Sequence, residues 1–274
     1  MTEPFGHQAL RSRHCFEGLL QLETPLRLSS GRASDLTDAP LMRDRDHKIF
    51  IPGSSLRGAL RSEVERVLAG VGESAGLRAC VLFAPDEGQA ACVTASREKQ
   101  EALQELEEKA GRREATPAER NAPLDYLEKH LCHVCQLFGS PVYASRLMIE
   151  DAYPVAGTAL QTAVRDGVGI DRDTGAARGN VKFDYEVLEG KPHVTLRLRI
   201  ENLTETDRKL LNLIFALLRQ GLHIGGKRAA GLGQIKLSGP LKVHGFKNGD
   251  ELWKAMLGGT DPHVELEWKE EIAC

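Results

Sequence analysis

Two glycine-framed basic segments carry the residue types that hold a nucleic-acid backbone: Ile51-Pro52-Gly53-Ser54-Ser55-Leu56-Arg57-Gly58-Ala59-Leu60-Arg61 and Gly225-Gly226-Lys227-Arg228-Ala229-Ala230-Gly231-Leu232-Gly233. Small residues let backbone N–H groups approach an anion and the cationic side chains pair with it, so together the segments describe a phosphate track. In the first, Pro52 and Gly53 end the apolar run Lys48-Ile49-Phe50-Ile51, which puts Ser54 or Ser55 at the N-cap of a helix from about Leu56 to Leu68. Arg57 and Arg61 then share one helix face, and Leu56, Leu60, Val64 and Val67 form the opposite stripe. Basic residues in the first turns oppose the helix dipole unless an anion sits there; an ordinary capped helix with solvated arginines is the other reading. In the second segment no carboxylate stands between Arg219 and Lys236, so Lys227 and Arg228 lack a local counter-charge. A simple turn is the competing explanation.

Cysteine chemistry is a separate signal. Cys132-His133-Val134-Cys135 is a CxxC knuckle, and Cys80 and Cys92 lie upstream, giving four thiolates of the kind that close a tetrahedral zinc site. His130 or His133 could replace one of them. Buried or free thiols are the alternative, and a redox CxxC fits less well because no strand leads into the motif. Cys15 and Cys274 stand outside the cluster, and six cysteines in 274 residues do not make a secreted disulfide scaffold.

The elements that must position these groups follow from periodicity. Cys15 to Leu28 and Pro192 to Ile200 alternate as strands and should be neighbours in one antiparallel sheet. Thr206 to Gln220 reads as a helix stopped by Gly221, and Gly233 to Leu237 as a strand. From about Ser96 to His130 the chain is highly charged, with Glu101, Glu105, Lys109 and Arg113 spaced for helical ion pairs. This describes a solvent-facing helical insertion at about 70–136, closed by the CxxC and in need of a metal because it has little apolar surface. Ala163 to Glu186 reads as a long protruding hairpin around a turn-rich centre at Asp173-Thr174-Gly175; a hairpin that cannot bury itself docks onto a partner, a disordered loop being the alternative. An apolar fraction of 41% supplies a core for a chain of this length, and a net charge of −3 excludes indiscriminate coating of DNA. With no apolar span and no signal-like h-region, the expectation is a cytoplasmic protein with no membrane partner.

The order of motifs resembles the repeat-associated mysterious protein (RAMP) superfamily, and within it the backbone subunits of type III CRISPR effector complexes. The resemblance rests on a first strand, the polar loop ending Thr37-Asp38-Ala39-Pro40, the Pro52-Gly53-Ser54-Ser55-Leu56-Arg57-Gly58 helix start and the cysteine pair leading into Leu137-Phe138-Gly139. The Gly169-Ile170-Asp171-Arg172 hairpin and the Gly225–Gly233 loop complete it. It implies one α+β domain over residues 1–274: a modified ferredoxin-like (RRM-like) antiparallel sheet with helices, a β-hairpin thumb at about 163–187 and a helical zinc-knuckle insertion. It also implies a filament of copies and other effector subunits along a guide RNA, with target RNA read by base pairing. By that resemblance Ser54, Ser55, Arg57, Arg61, Arg165, Gly169, Ile170, Gly225, Gly226, Lys227, Arg228 and Gly231 contact RNA. Asp38 carries target cleavage with Mg²⁺ or another divalent cation, and Asp35 and Asp44 are close enough to be confused with it. Two alternatives stay open: a purely structural subunit in which Asp38 is an Asx-turn residue, and a stand-alone precursor-RNA endonuclease using His14 or His47.

Overall fold

Alternation builds the centre of the molecule. In the computed structural model, which describes residues 6–29, 31, 33, 37–80, 92–259 and 264–268, the first strand β1 (Arg13–Leu22) buries His14, Phe16, Leu20 and Leu22 on one face. The first helix α1 (Gly53–Val71) follows, then α2 (Arg97–Ala110), α3 (Pro117–His130) and the short α4 (His133–Phe138). After β2 (Leu147–Ile149) come β3 (Gln161–Ile170), β4 (Ala177–Glu189) and β5 (His193–Glu201). The chain closes with α5 (Glu205–Gln220), β6 (Leu222–His223), β7 (Gln234–Phe246), α6 (Gly249–Leu257) and β8 (Val264–Glu265).

The main sheet has the order β2-β5-β1-β7-β6, with β8 on β7, and every neighbouring pair is antiparallel. Reading β1, α1, β2, β5, α5 and β7 in turn gives the split βαβ arrangement of a ferredoxin-like fold. Its core joins Phe16, Leu196, Leu198 and Ile235 of the sheet to Leu56, Leu60 and Val64 of α1 and Leu211, Ile214 and Phe215 of α5. Phe16 and Phe215 meet at 5.2 Å between ring centroids. Among the described residues no helix is long and apolar enough to cross a membrane.

Several expected boundaries move. β1 ends at Leu22 rather than Leu28, because Pro25 has no N–H to continue the ladder and the chain turns instead to pair Leu26 with Leu188 of β4 through two backbone bonds of 2.9 Å. Helix α1 begins at Gly53, so Ser54 and Ser55 sit inside its first turn and neither is the N-cap. The Pro52 carbonyl already accepts from the N–H groups of Ser55 and Leu56, and the Gly53 N–H is taken by Asp151 Oδ1 at 2.8 Å. On the buried face Leu68 replaces Val67 as the last member of the stripe. The hairpin of β3 and β4 runs longer than 163–187, since its ladder continues to Gln161 opposite Glu189. In the insertion, α2 ends at Ala110 and leaves Arg113 beyond it; the i,i+4 pair that forms is Arg97–Glu101 at 2.9 Å.

One polar contact inside the core ties α5 to the turn after α4. Thr204 and Asp207 cap α5 reciprocally, and Asp207 also accepts from Arg146 Nη2 at 2.9 Å, with the two side chains only 1% and 7% exposed. Arg146 is fixed in turn by its N–H to Leu137 O and by its carbonyl to Glu201 N–H. Removing one member of a buried ion pair strands the other charge. Arg146→Ala should therefore lower the stability of the chain by about 3–5 kcal/mol, seen as a lower urea midpoint at unchanged slope.

Candidate functional site

Four cysteines converge where the charged insertion rejoins the core. Cys80, Cys92, Cys132 and Cys135 are all buried, and their Sγ atoms lie within 4.8 Å of one another. Cys132 is the N-cap of α4, so its sulfur accepts the Cys135 N–H at 3.4 Å, while Cys92 Sγ accepts the Cys132 N–H at 3.3 Å. Crowding sets the thiols against one another: hydrogen bonds from Cys132, Cys135 and Cys80 hold Cys92 far below the usual thiol range, and the bonds to Cys135, Cys80 and Cys92 drive Cys132 up. A divalent cation would resolve that conflict by letting all four ionise. Four sulfurs fill a tetrahedral shell, so the cluster can hold a structural metal such as zinc. His130 packs on Tyr126 with ring centroids 4.3 Å apart, and His133 Nδ1 accepts the Arg78 N–H at 2.9 Å; neither histidine belongs to the group.

Arg57 and Arg61 reach the same corner. Arg61 donates to Cys135 Sγ at 3.3 Å, to Gly139 O at 2.7 Å and to Glu65 at 2.8 Å, and Arg57 donates to Phe138 O. Both are half-buried, and these donors point at the α4–Gly139 turn. The signal for this arrangement is absent from local sequence, because the partners lie 81 and 78 residues away.

The glycine-rich loop folds against the hairpin. Gly225 adopts φ 76°, and a Cβ there would stand 2.2 Å from the Arg27 carbonyl oxygen, so glycine is required for the close approach. The Gly226 N–H donates to that same oxygen at 3.0 Å, and the Gly231 N–H to Arg228 O at 2.9 Å; both are engaged within the chain. Lys227 lies in the left-handed region with Nζ 4.4 Å from the Phe183 ring centroid and 5.6 Å from that of Tyr185, while Arg27 covers Tyr185 at 5.1 Å. Arg228 and Gly231 are exposed. A cleft of about 400 Å³ lies between Ala59, Ser62, Glu63 and Arg66 of α1 and His223 and Arg228, so of the cations of the two basic segments only Arg228 lines it.

On the other side of β4 lies the loop containing Asp38. The Asp38 N–H donates to Asp184 Oδ1 at 2.8 Å and the Asp184 N–H donates to Asp38 Oδ2 at 3.0 Å. Glu186 extends the seam, its N–H on Ala39 O at 3.0 Å and its carboxylate on the Leu41 N–H at 2.9 Å and Arg43 at 2.6 Å. Asp38 is exposed. Asp44 is a turn former, its Oδ1 accepting the N–H groups of Asp46 and Lys48 at 2.9 Å each. Asp35 and Cys274 lie outside the described residues.

Along the hairpin, Arg165 pairs with Glu189 at 3.0 Å, and the register shifts between Val168 and Ile170, at Gly169. Val164, Val168 and Ile170 stand more than half exposed on one face. His14 is buried in β1 and its pKa is pushed down to about 4 by burial, Arg208 and Lys247, so it is neutral at pH 7. His47, at φ 60°, lines an open cleft of about 900 Å³ with Arg43, Lys48 and Tyr153. Asp184, Glu186, Phe183, Tyr185 and Arg27 carry no local signal for these contacts, because their partners come from distant segments of the chain.

Comparison with known families gives a match of the RAMP superfamily model to residues 19–236. No curated protein matches the chain. The metal reading has a direct check: the purified chain should contain one equivalent of zinc by elemental analysis, and Cys132→Ser should lose it together with thermal stability. Retention of metal by that variant would show that Cys132 is not a required ligand, and a metal-free wild type of equal stability would show that the thiols serve only packing.

Proposed function

The chain belongs to the RAMP superfamily, whose members are CRISPR-associated RNA-binding proteins, and from that premise we propose a guide-RNA-binding backbone subunit of a type III CRISPR effector complex that also cleaves target RNA through Asp38. The observation that carries this reading is the β3–β4 hairpin. It leaves Val164, Val168 and Ile170 in solvent along one face and grips the Asp38 loop at its base. Exposed apolar residues on a thin ribbon suit insertion beside stacked bases better than solvation. The hairpin is the thumb: Ile170 stands on the exposed apolar face and Arg165 and Gly169 on the opposite one, so the ribbon meets the duplex with both faces.

The guide backbone runs over the helix start at Ser54 and Ser55 and the loop from Gly225 and Gly226 to Gly231. Arg228 meets phosphate from an exposed position. Arg57 and Arg61 hold the α4 turn with the donors described and lend their charge to the same face, and Lys227 does so from its seat on the thumb. Aromatic residues make up only 5% of the chain, so contact is to backbone rather than by extensive stacking, and neighbouring copies and other effector subunits complete the filament.

For cleavage, Asp38 offers an exposed carboxylate, the hard oxygen donor that Mg²⁺ takes alongside substrate phosphates. A divalent ion held there would neutralise charge developing at the scissile phosphate. Asp38 itself would orient it or the attacking ribose 2′-OH. Zinc held by Cys80, Cys92, Cys132 and Cys135 would have a structural role, since four thiolates leave no open position. The purely structural alternative draws on the same Asp38–Asp184 bonds, which a turn residue would also make. The precursor-processing alternative loses one candidate, since His14 is buried and uncharged at neutral pH.

Two outcomes test this reading. In the complex assembled with its guide, Asp38→Ala should abolish cutting of complementary RNA at regular intervals while guide content stays unchanged; cutting by the variant would leave a purely structural subunit. Arg228→Ala should weaken guide binding equally for all sequences and reduce the slope of log affinity against log salt by about 1, measured by titration from low to high salt.

A further inference from the structure

We propose that Asp184 is the positioning residue for Asp38, so that the thumb strand β4 sets the geometry of the cleavage loop. This rests on the reading of Asp38 as the cleavage residue. The two aspartates exchange backbone-to-carboxylate hydrogen bonds in both directions, 2.8 Å and 3.0 Å, across 146 residues of sequence. The exchange fixes two things at once. Asp184 Oδ1 holds the Asp38 main chain, and the Asp184 N–H holds the Asp38 side chain by one oxygen at an exposed surface.

The rest of the seam keeps the loop in register with the strand. The Thr37 hydroxyl bonds the Asp184 carboxylate, and Glu186 takes Ala39, Leu41 and Arg43 in turn. Loop 37–43 is therefore held along β4 mainly by side-chain bonds, with one backbone–backbone bond from the Glu186 N–H to Ala39 O. Asp184 has the larger leverage of the two acids, because its bonds are to Asp38 itself. Its partners hold its carboxyl below the usual range, the Thr37 hydroxyl first and the Asp38 N–H next, so Asp184 stays an acceptor across the working pH. Its backbone sits in the β3–β4 ladder opposite Asp166, and that pairing does not depend on the side chain.

The two amino-acid exchanges that separate a hydrogen-bond role from a charge role are Asp184→Ala and Asp184→Asn. The asparagine keeps an oxygen for the Asp38 N–H and loses the charge. In the assembled complex, single-turnover cleavage of saturating target should slow by about 100-fold in Asp184→Ala, the size of effect that a small misplacement of a reacting group produces. Target affinity and guide content should stay unchanged, and Asp184→Asn should cut close to the wild-type rate. On the isolated chain, hydrogen exchange at the Asp38 amide should accelerate in Asp184→Ala and stay protected in Asp184→Asn, a reading that needs neither assembly nor activity. Wild-type cleavage by Asp184→Ala, equal loss in both variants, or unchanged exchange at Asp38 would overturn the proposal. Asp38→Ala in the same assay separates the two levels: if it cuts normally, the reading of Asp38 fails and the proposal with it, whereas a dead Asp38→Ala beside an active Asp184→Ala sinks the positioning role alone.

Discussion

The base of the β3–β4 hairpin is clamped on both faces, and the arrangement of everything around it depends on that clamp. A two-stranded ribbon is marginal in water because it has no second layer to bury itself against. Here Val187 and Leu188 enter the core and Leu26 pairs with Leu188, which roots the ribbon. Above that root, strand alternation sends Phe183 and Tyr185 to one side and Asp184 and Glu186 to the other. Lys227 and Arg27 cover the aromatic side, each contact contributing about 0.5–1 kcal/mol, and the Asp38 loop zips onto the acidic side. None of these contacts is large. Together they give the ribbon one direction, and they bring the glycine-rich loop and the Asp38 loop to opposite faces of the same four residues.

The insertion solves a different problem. Helices α2 and α3 bury only Leu103 and Leu127 between them, too little apolar surface to fix their position by the hydrophobic effect. The four-cysteine cluster stands at the junction where that deficit would be felt, and a metal there would supply binding energy that is folding energy. Arg61 carries the consequence into the core helix, since one guanidinium touches a cluster sulfur, a turn carbonyl and a carboxylate of its own helix. A cationic donor beside a cluster of thiolates also offsets part of their negative charge.

Local chemistry was legible in the sequence, and contacts between distant segments were not. The alternation of β1 and β5 and the apolar face of α5 follow from side-chain period alone, and the four cysteines could be grouped because few roles suit buried thiols at that spacing. Asp44 illustrates the limit: its turn is made within four residues and needs no fold, whereas the partner of Asp38 arrives from 146 residues away. The helix starts at Gly53, three residues before the Leu56 that local sequence suggests, because the acceptor for the Gly53 N–H is Asp151, a side chain from another part of the chain. By sequence alone the glycines of the 225–233 loop suit a cradle for an anion. Gly225 is required by the close approach of the Arg27 carbonyl, and the Gly226 N–H is spent on that same oxygen.

These engagements change how the chain can attract RNA. With 36 basic against 39 acidic residues the whole-protein field does not draw a polyanion in, so attraction must be local. Arg57, Arg61 and Arg165 each spend donors on the protein, and Lys227 sits on aromatic rings, which leaves exposed cations such as Arg228 to meet phosphates directly. Few phosphate contacts per chain mean modest affinity and a shallow salt slope for a single copy. A subunit that repeats along one guide escapes that limit, because each added copy binds a strand already held by its neighbours and the contacts accumulate without any one site becoming tight. In the filament proposed above, that thrift in free cations would let copies assemble along a guide without coating every RNA they meet.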